Sequence, residues 1–118
     1  MTLIDAKNLL DAKVLTVECD DDLELKNAFA SDMMSHVLAY ASNKSVLITA
    51  LNNPQSLRTA DLMGIPCVIF IGRKDPDPSI VELADKLGIV LMHSPHSLYT
   101  TCGLLYSNGM KGSMREND

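Results

Sequence analysis

One pattern occurs twice in this chain and leaves few folds open to it. Pro54 is followed after five residues by Ala60-Asp61-Leu62-Met63-Gly64-Ile65, and Pro78, at the same spacing, by Ala84-Asp85-Lys86-Leu87-Gly88-Ile89. The shared pattern, P-x5-A-D-x-[ML]-G-I, is displaced by 24 residues. Each copy punctuates one helix, with proline in its opening turn and glycine just past its end. Each then runs into an apolar segment with the length and composition of a strand. Two such units in series need crossover helices lying on a sheet, and crossovers of this kind join parallel strands. The expected fold is therefore α/β: a single three-layer domain with a mainly parallel sheet built from repeated βα units.

The remaining elements fit around that frame. Leu3, Ile4, Ala6, Leu9 and Leu10 have the spacing of a short amphipathic helix, with Thr2 as its N-cap. Strands are expected over 13–18 and 23–30, the latter burying Leu23, Leu25 and Phe29. A helix over 33–41, capped by Ser31 or Asp32, carries the stripe Met34, Val37, Leu38 and Ala41. Strands over 46–50 and 66–71 flank the first repeat helix at 54–63. The second repeat helix ends at Leu87, a strand follows over 89–92, and a final helix runs over about 96–107, capped by Ser94 or the residues just after it. Residues 1–109 are read as the domain and 110–118 as a flexible tail, the stretch from Asn108 to Asp118 carrying two glycines and four charges.

Composition narrows the function classes. A net charge of −5, with the ten Lys and Arg scattered, disfavours nucleic acid, which needs a concentrated basic surface. The longest wholly apolar run, Cys67 to Ile71, is far below the ~18 residues of a membrane span. The N-terminus reaches Asp5 with no basic stretch before an apolar one, so no signal peptide is expected. Cys19, Cys67 and Cys102 are odd in number and distant, which fits neither a disulfide framework nor a zinc knuckle. A cytoplasmic protein that touches neither nucleic acid nor membrane is the expectation.

Chemistry-bearing motifs are sparse. Asp20-Asp21-Asp22 follows the first strand, as the Mg²⁺-holding acidic cluster of response-regulator receivers does. That chemistry also needs an Asp at the end of a central strand, where this chain has Thr49-Ala50-Leu51-Asn52, and a later Lys-Pro that is missing, so the run reads as a solvated turn. His93 and His96 form an HxxH, but Pro95 parts them and no third ligand is near in sequence, so no metal or other cofactor is expected. Cys67 reads as core. No phosphate loop, nucleophile elbow or HExxH is present.

Ligands of open parallel sheets bind beyond the carboxyl ends of the strands. Those ends supply Asn52 and Asn53, then Gly72 and Arg73, then His93 and Ser94. Asparagine both donates and accepts, Gly72 permits close backbone approach, and Arg73 suits bidentate phosphate contact. Against this, Arg73 is also placed to pair with Asp75 on the surface. The helix start at Ser31-Asp32 is a second anion-binding candidate, unless those two side chains satisfy its donors themselves.

A family resemblance rests on three stretches. Phe29-Ala30-Ser31-Asp32-Met33-Met34-Ser35-His36-Val37-Leu38-Ala39 resembles the DRTGG-domain segment with Ser-Asp-Leu-Leu-Ser-Asp-Val at its centre. Asn53-Pro54 before a helix, and Ile71-Gly72-Arg73-x-Asp75-Pro76 after an apolar strand, fit the family's later half. The likeness covers about Leu3 to Gly109. The Thr-Gly-Gly that names the family falls on Lys26-Asn27-Ala28, and His36 stands where an acidic residue is usual. DRTGG domains accompany nucleotide-sensing CBS domains in some pyrophosphatases, resemble the N-terminal domain of HPr kinase, and tend to dimerise. The resemblance implies a non-catalytic regulatory or interaction module, a homodimer that senses a small anionic metabolite or nucleotide or meets a signalling protein. The alternative is a small cytoplasmic enzyme using His93, His96 or a cysteine. The helix over 33–41, with its paired methionines, is the candidate for exposed apolar surface.

Overall fold

The repeated pattern folds as two near-identical helix endings. Helices α3 (Pro54–Met63) and α4 (Pro78–Leu87) each place proline at the first turn and end at a glycine with φ 73° and ψ 22°. Both close by the same pair of hydrogen bonds: Gly64 and Gly88 N–H donate to the carbonyls of Asp61 and Asp85, and Ile65 and Ile89 N–H to those of Ala60 and Ala84. This satisfies carbonyls the helix end leaves open, and the glycine supplies the left-handed backbone a Cβ would resist. The alanine is conserved between the copies for a packing reason: Ala60 and Ala84 are both fully buried. At the other end Asn53 and Asp77 cap the first turns, accepting from Gln55 and from Ser79 N–H respectively.

The computed structural model describes residues 1–17 and 20–113; the expected strand end at Glu18, the Cys19 thiol and residues 114–118 lie outside them. The elements besides α3 and α4 are α1 (Leu3–Leu10), α2 (Met34–Tyr40), α5 (Leu98–Ser107) and the strands β1 (Lys13–Val14), β2 (Asn27–Ala30), β3 (Ser45–Thr49), β4 (Cys67–Ile71), β5 (Val90–Ser94) and β6 (Lys111–Gly112). The six strands form one sheet in the order β1-β5-β4-β3-β2-β6. All pairings are parallel except β1 with β5. The three-layer α/β architecture is as expected, with β3 parallel to β4 in the register Val46↔Cys67 to Thr49↔Phe70.

Strand alternation sorts the core into two halves. Phe29, Leu47, Val68, Phe70 and Leu91 meet α2, α3 and α4 on one face. Val46, Ile48, Cys67, Ile69 and Met92 meet α1 and α5 on the other. Thr2 caps α1 through a reciprocal pair with Asp5, as the sequence predicts.

Local expectations are corrected at several points. Strand β1 stops at Val14 and β2 starts only at Asn27; Leu25 is buried but Leu23 only partly so. In α2, Met34, Val37 and Ala41 are buried, whereas Leu38 is exposed. Neither Ser31 nor Asp32 caps α2; Met33 occupies the cap position without a side-chain bond. Strand β5 runs on to Ser94, so His93 and Ser94 are strand residues and not loop, and α5 starts at Leu98 and not near 96, while its cap, Ser97, is among the residues after Ser94 expected to serve. The chain beyond 109 first buries Met110 and then pairs as β6 with β2.

The switch in helix placement falls between β4 and β5. The helix after β4 lies on one face of the sheet and the helix after β5 on the other, and the chain returns across the sheet to β6 beside β2. In open parallel sheets this is where a crevice opens at the carboxyl ends.

Candidate functional site

Four adjacent parallel strands, β2 to β5, end along one edge, and all eight predicted residues lie there: Ser31 and Asp32 after β2, Asn52 and Asn53 after β3, Gly72 and Arg73 after β4, and His93 and Ser94 at the end of β5. The structure divides them by what their side chains already do.

Six are engaged. Asp32 Oδ1 accepts from the Thr49 hydroxyl at 2.8 Å and from Ala50 N–H at 2.7 Å, joining the end of β2 to that of β3. Ser31 Oγ accepts from Met33 N–H at 3.0 Å. Asn53 is the N-cap of α3. The Ser94 hydroxyl is fully buried, 2.9 Å from that of Thr101, and accepts from His96 N–H. Gly72 takes φ 132°, where side chains are strained, and its carbonyl lies 2.8 Å from His93 Nε2. His93 Nδ1 lies 2.9 Å from Asp75 Oδ1. Both partners of the ring are acceptors, so only a ring with hydrogen on both nitrogens donates to both.

Asp75 belongs to this group and was not among the predicted residues. Its second oxygen accepts from Lys13 Nζ at 2.8 Å. Lys13 stands directly opposite His93 in the β1–β5 pair, so the three side chains form a chain across the sheet end. The expected Arg73–Asp75 pair is replaced by these two contacts. The Lys13 hydrogen bond foremost, helped by the nearby positive charge and by His93, holds the Asp75 carboxyl below its ordinary 3.8. No local signal in the sequence marks this carboxylate, since Lys13 lies 62 residues from it.

Two of the eight, Asn52 and Arg73, are exposed and have no hydrogen-bond or ion-pair partner among the described residues. They follow neighbouring strands β3 and β4, in the loops that lead to α3 and α4. Among the described residues no three of His, Cys, Asp and Glu gather as metal ligands, and no helix is long and apolar enough to cross a membrane.

Residues 5–107 match the profile of the DRTGG domain. The chain belongs to the DRTGG domain family. No curated protein matches it. Among solved structures it is similar to the CBS and DRTGG domains of the regulatory region of Clostridium perfringens pyrophosphatase, complexed with the activator diadenosine tetraphosphate. That likeness has a TM-score of 0.75 at 18% identity and covers 88% of this chain but only 45% of the other. It establishes the shared fold. In this DRTGG domain the signature position, Lys26-Asn27-Ala28, enters β2: Asn27 and Ala28 pair with β3 on one side and β6 on the other. Asn27 Oδ1 also accepts from the Ser45 hydroxyl at 2.7 Å. The residues standing for the glycines are thus held in a ladder on both sides.

Proposed function

We propose that this DRTGG domain is a non-catalytic regulatory module that binds a small anionic metabolite of the nucleotide kind, and that it acts in the cytoplasm as a homodimer. The ligand lies at the carboxyl edge of the sheet, with Arg73 on its phosphate and Asn52 beside it. The observation that carries this reading is the uncommitted Arg73 guanidinium next to the β4–β5 switch, at an edge where six of the eight predicted residues are already engaged. A planar fork with five donors and no partner among the described residues suits a phosphate. The similar pyrophosphatase region, which binds a dinucleotide activator, supports the ligand class.

The same geometry supports a non-catalytic role over the enzyme alternative. His93 has both nitrogens engaged and is almost wholly buried. Burial pushes the Cys102 thiol up, away from the reactive thiolate. Cys67 is fully buried, and His96 has no nucleophile paired with it among the described residues.

Thermal shift against adenine nucleotides and phosphorylated metabolites, followed by calorimetry on any binder, tests the proposal. Stabilisation without turnover is expected, and Arg73→Ala weakens binding by on the order of 1.5–3 kcal/mol, the worth of a charged hydrogen bond. Product formation lost in His93→Ala would overturn the non-catalytic reading. A binder whose affinity ignores Arg73→Ala would overturn only the placement.

A further inference from the structure

The loop that carries Arg73 is held on both sides by one ring. His93, at the end of β5, is only 8% exposed. Its Nε2 lies 2.8 Å from the Gly72 carbonyl, which precedes Arg73 and Lys74, and its Nδ1 lies 2.9 Å from the Asp75 carboxylate, which follows them. Only the imidazolium donates to both, because a neutral imidazole has one N–H and its other nitrogen accepts. Asp75 holds the remaining hydrogen, since a bond to an ionised acceptor is roughly twice as strong as one to a neutral carbonyl. Loss of the proton therefore sets a nitrogen lone pair against the Gly72 carbonyl oxygen, and two acceptors at that separation repel.

Gly72 is where the loop can respond. Its carbonyl and the Arg73 N–H belong to one rigid peptide plane, so a carbonyl that swings off the ring turns the Arg73 backbone with it. Gly72 stands at φ 132°, and no atom lies within 4 Å of where its Cβ would be. Neither a side chain nor a neighbour of that position resists the rotation. On the other side Lys13 shares the Asp75 carboxylate at 2.8 Å, so that end stays tied in either state. Other charges leave the ring to this pair. Strand β4 sets the uncharged Phe70 beside His93, and β1 sets Lys13 there. On α4, Asp77 accepts from Ser79 and Asp85 from Val17 N–H, while Glu82 and Lys86 are exposed, as are Arg58 and Asp61 on α3. His96 lies past the strand end, half-buried.

We propose that His93 is a positioning residue: protonated, it clamps loop 72–75 in the form that presents Arg73, and a single proton thereby governs anion binding at this edge. The inference rests on the Arg73 placement above and adds its regulation. Histidine is the side chain that changes charge between about pH 5 and 8. Coupling between two ligands is reciprocal, so an anion bound at Arg73 draws a proton onto the ring.

Two measurements on the full chain separate the clamp from the ligand. Side-chain nitrogen shifts report the protonation of His93, and NMR relaxation of the Arg73 and Lys74 amides reports the order of the loop, both followed from about pH 5 to 8. The loop is expected to be rigid while the ring is protonated and to loosen as that ring titrates. A ring that does not titrate in this range, or a loop indifferent to it, overturns the proposal and leaves the anion reading standing. Calorimetry then uses diadenosine tetraphosphate, the activator of the similar pyrophosphatase region, which has no terminal phosphate to titrate near about pH 6. Affinity is expected to be at least about fivefold higher at the acid end, with proton uptake on binding. The profile is expected to be flat in His93→Gln, with circular dichroism to verify folding. A pH dependence that is absent, or that survives His93→Gln, also overturns the proposal. A chain that does not bind the dinucleotide overturns the nucleotide reading, and the loop measurement, which needs no variant, then decides the clamp by itself.

Discussion

At Asp75 a single exposed carboxylate serves a lysine from β1 and a histidine from β5, and its proton affinity records both. Its folded-state pKa lies below the ordinary value, so the stability it contributes is present above that value and is lost as pH falls through the folded one. Denaturant melts through the acid range below about pH 4 should therefore show a falling limb, flattened in Asp75→Asn. Asp5 and Asp77, lowered chiefly by backbone hydrogen bonds from Thr2 and Ser79, keep part of that limb in the variant. An unaltered limb in Asp75→Asn would show that the three-residue chain contributes nothing. Asp32 makes a separate case. Asp32→Ala leaves the buried Thr49 hydroxyl and Ala50 N–H without their acceptor, and urea unfolding should show a loss of about 1–3 kcal/mol.

The helices of the repeat were legible because their signals are local. Proline at the start, glycine at the end and a capping Asn or Asp lie within one or two turns of what they control, and the boundaries 54–63 and 78–87 are as read. Since no atom lies within 4 Å of a Gly88 Cβ, the cost of Gly88→Ala is conformational alone, about 1–2 kcal/mol for forcing a Cβ into the left-handed region; a melting curve equal to wild type would contradict that. Strand ends resist the same reading. His93 and Ser94 look like loop residues because they are polar, yet they extend β5, since Gly72, Asp75 and Thr101 supply partners that a periodicity argument cannot see. Asp32 looks like a helix cap because Ser-Asp precedes an apolar run; its acceptors are instead spent on β3, 17 residues away. The candidate edge was thus legible as a place, through the rule for parallel sheets. Which of its side chains are already committed was not.

Across the whole molecule the chain makes one long return, from β5 through α5 and over the sheet to β6. Met110, 3% exposed, anchors the end of that return in the second core half. Met110→Ala should cost about 2–4 kcal/mol in chemical denaturation, as large-to-small core changes do; a loss within ~0.5 kcal/mol, typical of surface sites, would show that the segment past 109 is dispensable. The return also decides what stands at the borders of the sheet. Each border strand, β1 and β6, is two residues long and begins with a lysine. So short a row of open amides and carbonyls, guarded by a charge, gives an incoming strand almost nothing to register against. Edge-to-edge addition, the route to fibres, thus finds at these two strands only a two-residue register to grow from.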